Sequence, residues 1–258
     1  MSTAHNAMTL YAVPSIPMIE PGDDLAQILV MALDAAGLPL QDGDLLVLAQ
    51  KIVSKAEGRY VYLNGVEPSA EAITLAASCD KDPRHMEVLL GESQAVLRQR
   101  PGVVIVEHKL GYVHANAGID RSNIAYDPEN PRLLLLPENP DASAKALRAA
   151  LYVKTGIQAN IIINDSAGRA WRNGTVGFAI ATAGFDALEN RIGERDLFGR
   201  ALEVTEVAVA DELAAAASFM MGQGDEAIPL VLIRGANLRS SAAGSASLIR
   251  DREKDMFR

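Results

Sequence analysis

LLVLAQKIV, residues 45–53, sets how the rest of the chain is read. It is a continuous apolar run between turn residues, which predicts a strand buried on both faces rather than one with a solvated side. Such a strand needs other elements packed above and below it. It also delivers Gln50, Lys51 and Lys55 to its carboxyl end. A second run of this kind, NIIIND at 160–165, leads into the polar segment DSAGRAWRNGT, read as a loop, and then the small-residue strand VGFAIATAG. TLYAVP at 9–14 and LVLIRG at 230–235 supply an early and a late strand.

Between the strands, leucine and isoleucine at helical spacing predict an Asp-capped helix from about Asp23 to Ala36, stopped by Gly37. Two helical stretches occupy 68–92 and break at Asp82-Pro83. VVIVEH and YVHAN, joined through Lys109-Leu110-Gly111, read as a hairpin whose exit carries NAGIDRSN. DPENPRLLLLPENPD holds a short strand between proline-rich turns. A helix then runs from Ser143, as N-cap, to Thr155 before Gly156, and an alanine-rich one from Glu206 to Met221. The tail from Ala242 reads as a solvated helix or a frayed end. Helices alternating with buried strands, some joined as hairpins, predict an α/β (α+β) protein on a mixed sheet and argue against a purely parallel Rossmann sheet. Residues 1–258 read as one domain, or as two intimately packed lobes.

Composition narrows the function. Twenty-four basic against 33 acidic residues give a net charge of -9, and only 5% of residues are aromatic, which disfavours a nucleic-acid surface. Cys79 is the single cysteine, so no internal disulfide forms and no zinc-spaced Cys/His cluster exists. The N-terminus lacks the basic start and apolar run of a signal peptide, and no apolar stretch reaches the ~20 residues of a membrane span. These features predict a soluble, cytoplasmic protein acting on small molecules. No lysine has the glycines of a P-loop before it. Gly222, Gly224 and Ala227 match GxGxxA but lie between a helix and a strand, the wrong context for a dinucleotide fingerprint. Of His5, His85, His108 and His114, only the last two sit together, and ordinary hairpin histidines are the simpler reading.

Three polar segments follow apolar strands: QKIVSKAEGR, NAGIDRSN and DSAGRAWR. Strand-end segments hold groups rigidly while leaving them accessible. Asp120 and Asp165 are hard oxygen donors suited to magnesium or manganese, and Lys55, Arg169 and Arg172 are suited to phosphate oxygens, a set that describes phosphoryl chemistry. The same residues fit a plainer role equally: Asp120 capping a turn after Gly118, Asp165 capping a loop, and the cations forming solvated salt bridges.

GDLLVLAQKIVSKAEGR (43–59), ANAGIDRSNI (115–124), NDSAGRAWRNGTVGFAIATAG (164–184) and MGQGDEAIPLVLIRG (221–235) resemble, in that order, the coenzyme F420-0:L-glutamate ligase (gamma-glutamyl ligase) family, across roughly residues 9–236. The resemblance implies the fold of that family, neither Rossmann nor P-loop. It implies a GTP-dependent enzyme, assisted by Mg2+ or Mn2+ and by K+, that joins L-glutamate through its amine to a carboxylate of coenzyme F420-0, with F420-1 as a further acceptor. By the same resemblance Ile16, Pro17, Met18 and Ile19 line the nucleotide site, Gln50, Lys51, Lys55 and Asn123 contact the nucleotide, and Met221, Gly222, Gln223, Gly224, Asp225, Glu226, Ala227 and Ile228 wrap it. Asp120, Asp165 and Ser166 fall at metal-ligand positions. So does Gln223, a neutral donor where the resemblance leads one to expect glutamate, and a weaker ligand for a dication. Lys55 and Arg169 are the expected catalytic cations, offsetting charge on the transferring phosphoryl group. A homodimer is implied, without the nitroreductase-like domain of larger relatives. Two other readings use the same residues: an amide ligase with a different acceptor, and a nucleotide-binding protein without catalysis.

Overall fold

In the computed structural model, which describes residues 7–256, the two apolar runs lie side by side at the centre of a six-stranded mixed sheet. The elements in chain order begin with β1 (Thr9–Ala12), α1 (Leu25–Ala35), β2 (Leu45–Ala49), α2 (Gln50–Ala56), β3 (Tyr60–Tyr62), α3 (Ala70–Cys79), α4 (Pro83–Gly91), β4 (Ser93–Arg100), β5 (Val103–His108) and β6 (Val113–Ala115). They continue with β7 (Arg132–Leu134), α5 (Pro140–Thr155), β8 (Asn160–Arg169), β9 (Arg172–Phe185), β10 (Glu189–Asn190), β11 (Glu206–Val207), α6 (Val209–Met221), β12 (Leu230–Arg234) and β13 (Ser240–Ser241). The large sheet has the order β1-β12-β2-β8-β9-β13. Only β2 and β8 pair in parallel; the other neighbours are antiparallel.

The central strands are apolar throughout because both faces are covered. Leu46 and Leu48 of β2, Ile161 and Ile163 of β8, and Leu230 and Leu232 of β12 share one core with α1 and α5. The alternate residues Leu45, Val47, Ile162, Val231 and Ile233 face the other core, under α6. Period-two geometry thus splits each run between two cores. The alanine face of α6 lies so close to β9 that a Cβ on Gly177 would stand 2.4 Å from Ser218 Cβ. A third core, from α3, α4 and β5, supports the three-stranded sheet β4-β5-β6.

Several boundaries differ from the sequence reading. β2 stops at Ala49 and Gln50 opens α2, so the apolar run contains a strand-to-helix junction. Asp24, not Asp23, caps α1, its side chain accepting from Gln27 N; Asp23 accepts from Glu20 N. α5 begins at Pro140 with Asn139 as cap, and Ser143 lies in its first turn, donating to Glu57. The polar segment after NIIIND is part of the β8–β9 hairpin and not a loop, so Asp165 and Ser166 are strand residues. Glu206 and Val207 pair with β10 before α6 starts. β4 had no apolar run to reveal it, since partly buried Ser93, Ala95 and Leu97 alternate with exposed Gln94, Val96 and Arg98 at the sheet edge. The tail makes short 3-10 turns at Ser245–Leu248 and Arg252–Lys254. No helix among the described residues is long and apolar enough to cross a membrane. His5 lies outside the described residues.

Candidate functional site

The parallel pairing of β2 with β8 creates the site. Its register sets Ala49 beside Asn164, so Gln50 and Asp165 come together at the carboxyl end of β2, where β8 runs on into its hairpin with β9, an edge at which open α/β sheets bind ligands. The β5–β6 hairpin delivers the third segment: after β6 the chain bends through Asn116 and Ala117, both at positive φ, into Asp120. A two-bond bridge with Leu134 fixes the Asp120 backbone, its N donating at 2.9 Å and its carbonyl accepting at 3.0 Å.

Asp120 receives two side chains from α2. Lys51 Nζ lies 2.8 Å from Oδ1 and Gln50 Nε2 donates to Oδ2. Gln50 is itself held from below, Ser54 Oγ donating to its Oε1 at 2.8 Å, with both residues buried. Burial above all, and the nearby charge of Asp165, push the Asp120 carboxyl up against the opposing pull of Lys51. Two carboxylates within electrostatic reach in a desolvated place make a site that a cation relieves. Asp165 accepts from Ser166 N through Oδ1 at 2.8 Å and from His114 Nε2 through Oδ2 at 3.1 Å. Ser166 Oγ donates to Gln223 Oε1 at 3.0 Å, and Gln223 Nε2 donates to Ser218 Oγ of α6 at 3.1 Å.

The oxygen inventory is therefore two carboxylates, one hydroxyl and one amide. Among the described residues no three groups from His, Cys, Asp and Glu converge as a metal cluster. A dication here would take Asp120 and Asp165 with neutral oxygens from Ser166 and Gln223, hard donors that fit Mg2+ or Mn2+ better than a thiophilic metal.

Around this centre stand the other predicted residues. Lys55 is half-buried, and among the described residues no carboxylate pairs with it at salt-bridge distance. Burial first, then Lys51 and Arg132, hold its ammonium below the usual lysine range against the charges of Glu20 and Asp120. The loop with Ile16, Pro17, Met18 and Ile19 is brought alongside by Gly22 N donating to Ala56 O at 2.8 Å. Ile19 is core, Ile16 packs against that core, and Pro17 and Met18 are exposed. Asn123, at positive φ, donates through Nδ2 to Gly224 O at 3.0 Å and ties the Asp120 segment to the glycine loop.

In that loop Met221 is buried, while Gly222 takes a φ of 75° and a Cβ there would fall 2.1 Å from the Glu226 carboxyl carbon. Glu226 accepts from Gly224 N at 2.8 Å, and backbone N–H groups hold its carboxyl low. Asp225, Ala227 and Ile228 complete the loop, Ala227 at positive φ. Arg169 is not gathered with the others: it sits at the β8–β9 tip opposite Arg172, roughly 13 Å along the strand from Asp165.

The sequence reading missed His114, treated as an ordinary hairpin histidine. His108 fits that description, being buried and pushed down to about 4 by burial, then by His114 and Lys109. His114 faces Asp165 instead. Its only signal was position, on the short strand leading into NAGIDRSN.

The chain is thus an α/β protein with an open mixed sheet and a polar centre at the carboxyl ends of its one parallel pair. It belongs to the F420-0:Gamma-glutamyl ligase family, whose profile matches residues 14–235. It is 45% identical over 254 residues to the coenzyme F420:L-glutamate ligase of Methanothermobacter thermautotrophicus, covering 97% of this chain and 99% of the relative. The enzyme of that name from Methanocaldococcus jannaschii is 44% identical over 223 residues, 86% of this chain and 88% of the relative. That of Archaeoglobus fulgidus is 40% identical over 249 residues, 96% of each.

Proposed function

We propose that this chain is a cytoplasmic ligase that adds L-glutamate to coenzyme F420-0, and further to F420-1, using GTP with Mg2+ or Mn2+ and K+. The observation that carries this reading is the meeting of Asp120, Asp165, Ser166 and Gln223 with Lys51 and Lys55 beside the carboxyl end of β2, in a chain of this family.

A carboxylate is unreactive toward an amine until one of its oxygens becomes part of a leaving group. In the proposed first step a carboxylate oxygen of the coenzyme attacks the terminal phosphorus of GTP. The bond from that phosphorus to the bridging oxygen breaks and GDP departs. In the second, the glutamate amine attacks the resulting acyl phosphate, the C–N bond forms, inorganic phosphate leaves and the amine nitrogen loses a proton. Divalent cations, when bound, would neutralise phosphate oxygens during the first step. The residues of the chain supply position and charge. Asp120, braced by Lys51 and Gln50, and Asp165, braced by His114 and Ser166 N, would hold the cations. Lys55, with no carboxylate at salt-bridge distance among the described residues, would offset charge on the transferring group. Arg169, at the hairpin tip, would reach this chemistry only if that tip folds over the centre. The loop from Met221 to Ile228 would wrap the nucleotide with backbone N–H groups.

A homodimer is part of the same proposal, supported by large apolar side chains left in solvent: Leu197 at 99%, Phe198 at 92% and Phe219 at 89% exposure. Light scattering showing only monomer would contradict it. The activity is tested by mass spectrometry of desglutamyl coenzyme incubated with the protein, L-glutamate, GTP and Mn2+. Gains of whole glutamyl units are expected. No gain with GTP, despite nucleotide binding, would overturn the proposal in favour of another acceptor or of binding without catalysis.

A further inference from the structure

His114 is 7% exposed, and each of its ring nitrogens has an oxygen partner. Nδ1 stands 2.9 Å from Ala115 O, and Nε2 stands 3.1 Å from Asp165 Oδ2. The ring is also packed. Phe178, the cross-strand neighbour of Asp165 in the β8–β9 pair, lies with its centroid 5.6 Å from the His114 ring. Tyr112 meets the other side of this cluster, edge-on to Phe178 at 6.2 Å, and its hydroxyl donates to Ile180 O. The aromatic cluster fastens the β5–β6 hairpin to β9 and leaves the imidazole little freedom of rotation. Its orientation fixes Asp165 in turn: Oδ2 takes the imidazole, Oδ1 takes Ser166 N at 2.8 Å, and the carboxylate is gripped at both oxygens.

We propose that His114 is a positioning residue: its Nε2–H, aimed by packing on Phe178, fixes the Asp165 carboxylate so that the remaining lone pairs of both oxygens face the cation site. This rests on Asp165 being a cation ligand, and the test separates the two claims. Partners behind a ligand orient it and reduce the rearrangement needed on binding, and losing one typically weakens metal affinity by about 10–100-fold. The hairpin that supplies His114 also leads into Asp120, so one element orients the first carboxylate and supplies the second.

Two substitutions pull packing and hydrogen bonding apart. His114→Phe keeps a ring against Phe178 and removes the donor. His114→Gln gives up ring volume and keeps a side-chain N–H that can reach Asp165. Mn2+ binding to the full chain with GDP is read as loss of the free-ion electron paramagnetic resonance signal, alongside thermal denaturation. Positioning predicts His114→Phe weaker than wild type by about 10–100-fold and His114→Gln within about threefold of it, even where His114→Gln melts lower. The reverse order, or wild-type affinity in His114→Phe, overturns the positioning role while leaving Asp165 as a ligand. Wild-type protein that takes up no Mn2+ overturns the cation reading itself. If His114→Phe does not fold, His114→Ala replaces it and must bind Mn2+ more weakly than His114→Gln.

Discussion

Replacing Gly177 by alanine tests whether packing of α6 on β9 controls the site. The added Cβ would stand 2.4 Å from Ser218 Cβ, 2.6 Å from Ala214 O and 2.6 Å from Asn164 Oδ1, whereas ordinary contact begins near 3.4 Å. No flexible side-chain end can yield to all three, since one is the helix backbone and another is a buried amide. The helix must therefore recede by about 1 Å, and overpacking of this kind costs about 2 kcal/mol. For a chain of this size that lowers Tm by roughly 4–8 °C. The displacement should reach the site as well, because Ser218 holds Gln223 at 3.1 Å and Gln223 meets Ser166, the cross-strand partner of Gly177. Mn2+ affinity should fall together with Tm. Gly168→Ala on the same hairpin is the control: a Cβ there meets nothing within 4 Å, and the change should stay within about 0.5 kcal/mol. Calorimetry on the two variants decides the matter. A Gly177→Ala protein that melts with wild type would refute the packing argument and the coupling built on it.

Acid should destabilise the protein early. Burial, the largest cause, holds His85 and His108 at about 4, so the unfolded chain takes up protons below about 6.5 that the folded chain refuses until about 4. Their contribution is fully present above 6.5 and is lost as the pH falls toward 4, amounting to about 2 kcal/mol per histidine by pH 5. Urea midpoints at pH 7.5 and 5 measure the loss, and equal midpoints would contradict it. Gly222→Ala should strain the nucleotide loop, where φ is positive and the new Cβ meets the Glu226 carboxylate. Calorimetric titration is expected to show GDP binding weakened about tenfold, with Tm lowered by roughly 2–8 °C from the backbone strain, and unaltered affinity would mean that the loop does not hold the nucleotide.

The sequence exposed the sheet well because its central strands are buried on both faces, and LLVLA and III carry that burial as unbroken apolar runs. It could not show where the first run changes to helix. Past Gln50 and Lys51 the apolar character resumes because α2 buries Ile52 and Val53 in the same core that receives Leu48. The β8–β9 hairpin was misread for the opposite reason: beyond Asp165 it projects out of the cores, so pairing alone makes it a strand, and pairing leaves little trace in composition. The carboxylates and Lys55 were visible as residues, but their convergence depends on the parallel register of β2 and β8, a long-range fact. His114 shows the same limit, since nothing local distinguishes it from His108; one meets the Asp165 carboxylate at 3.1 Å, 51 positions away, while the other accepts from Leu110 N and has the Glu92 carboxylate only at 3.8 Å.

If Asp120 and Asp165 hold the cations that glutamyl transfer needs, Asp165→Asn should abolish the reaction. The amide keeps the shape and can still accept through its one oxygen, but it gives up the charge that would hold a dication. Mass spectrometry of the coenzyme after incubation with L-glutamate, GTP and Mn2+ would be run on wild-type and variant protein with matched circular dichroism. Glutamyl additions are expected with the wild type, and a loss of at least about a hundredfold in the variant. Wild-type rates in Asp165→Asn would contradict it.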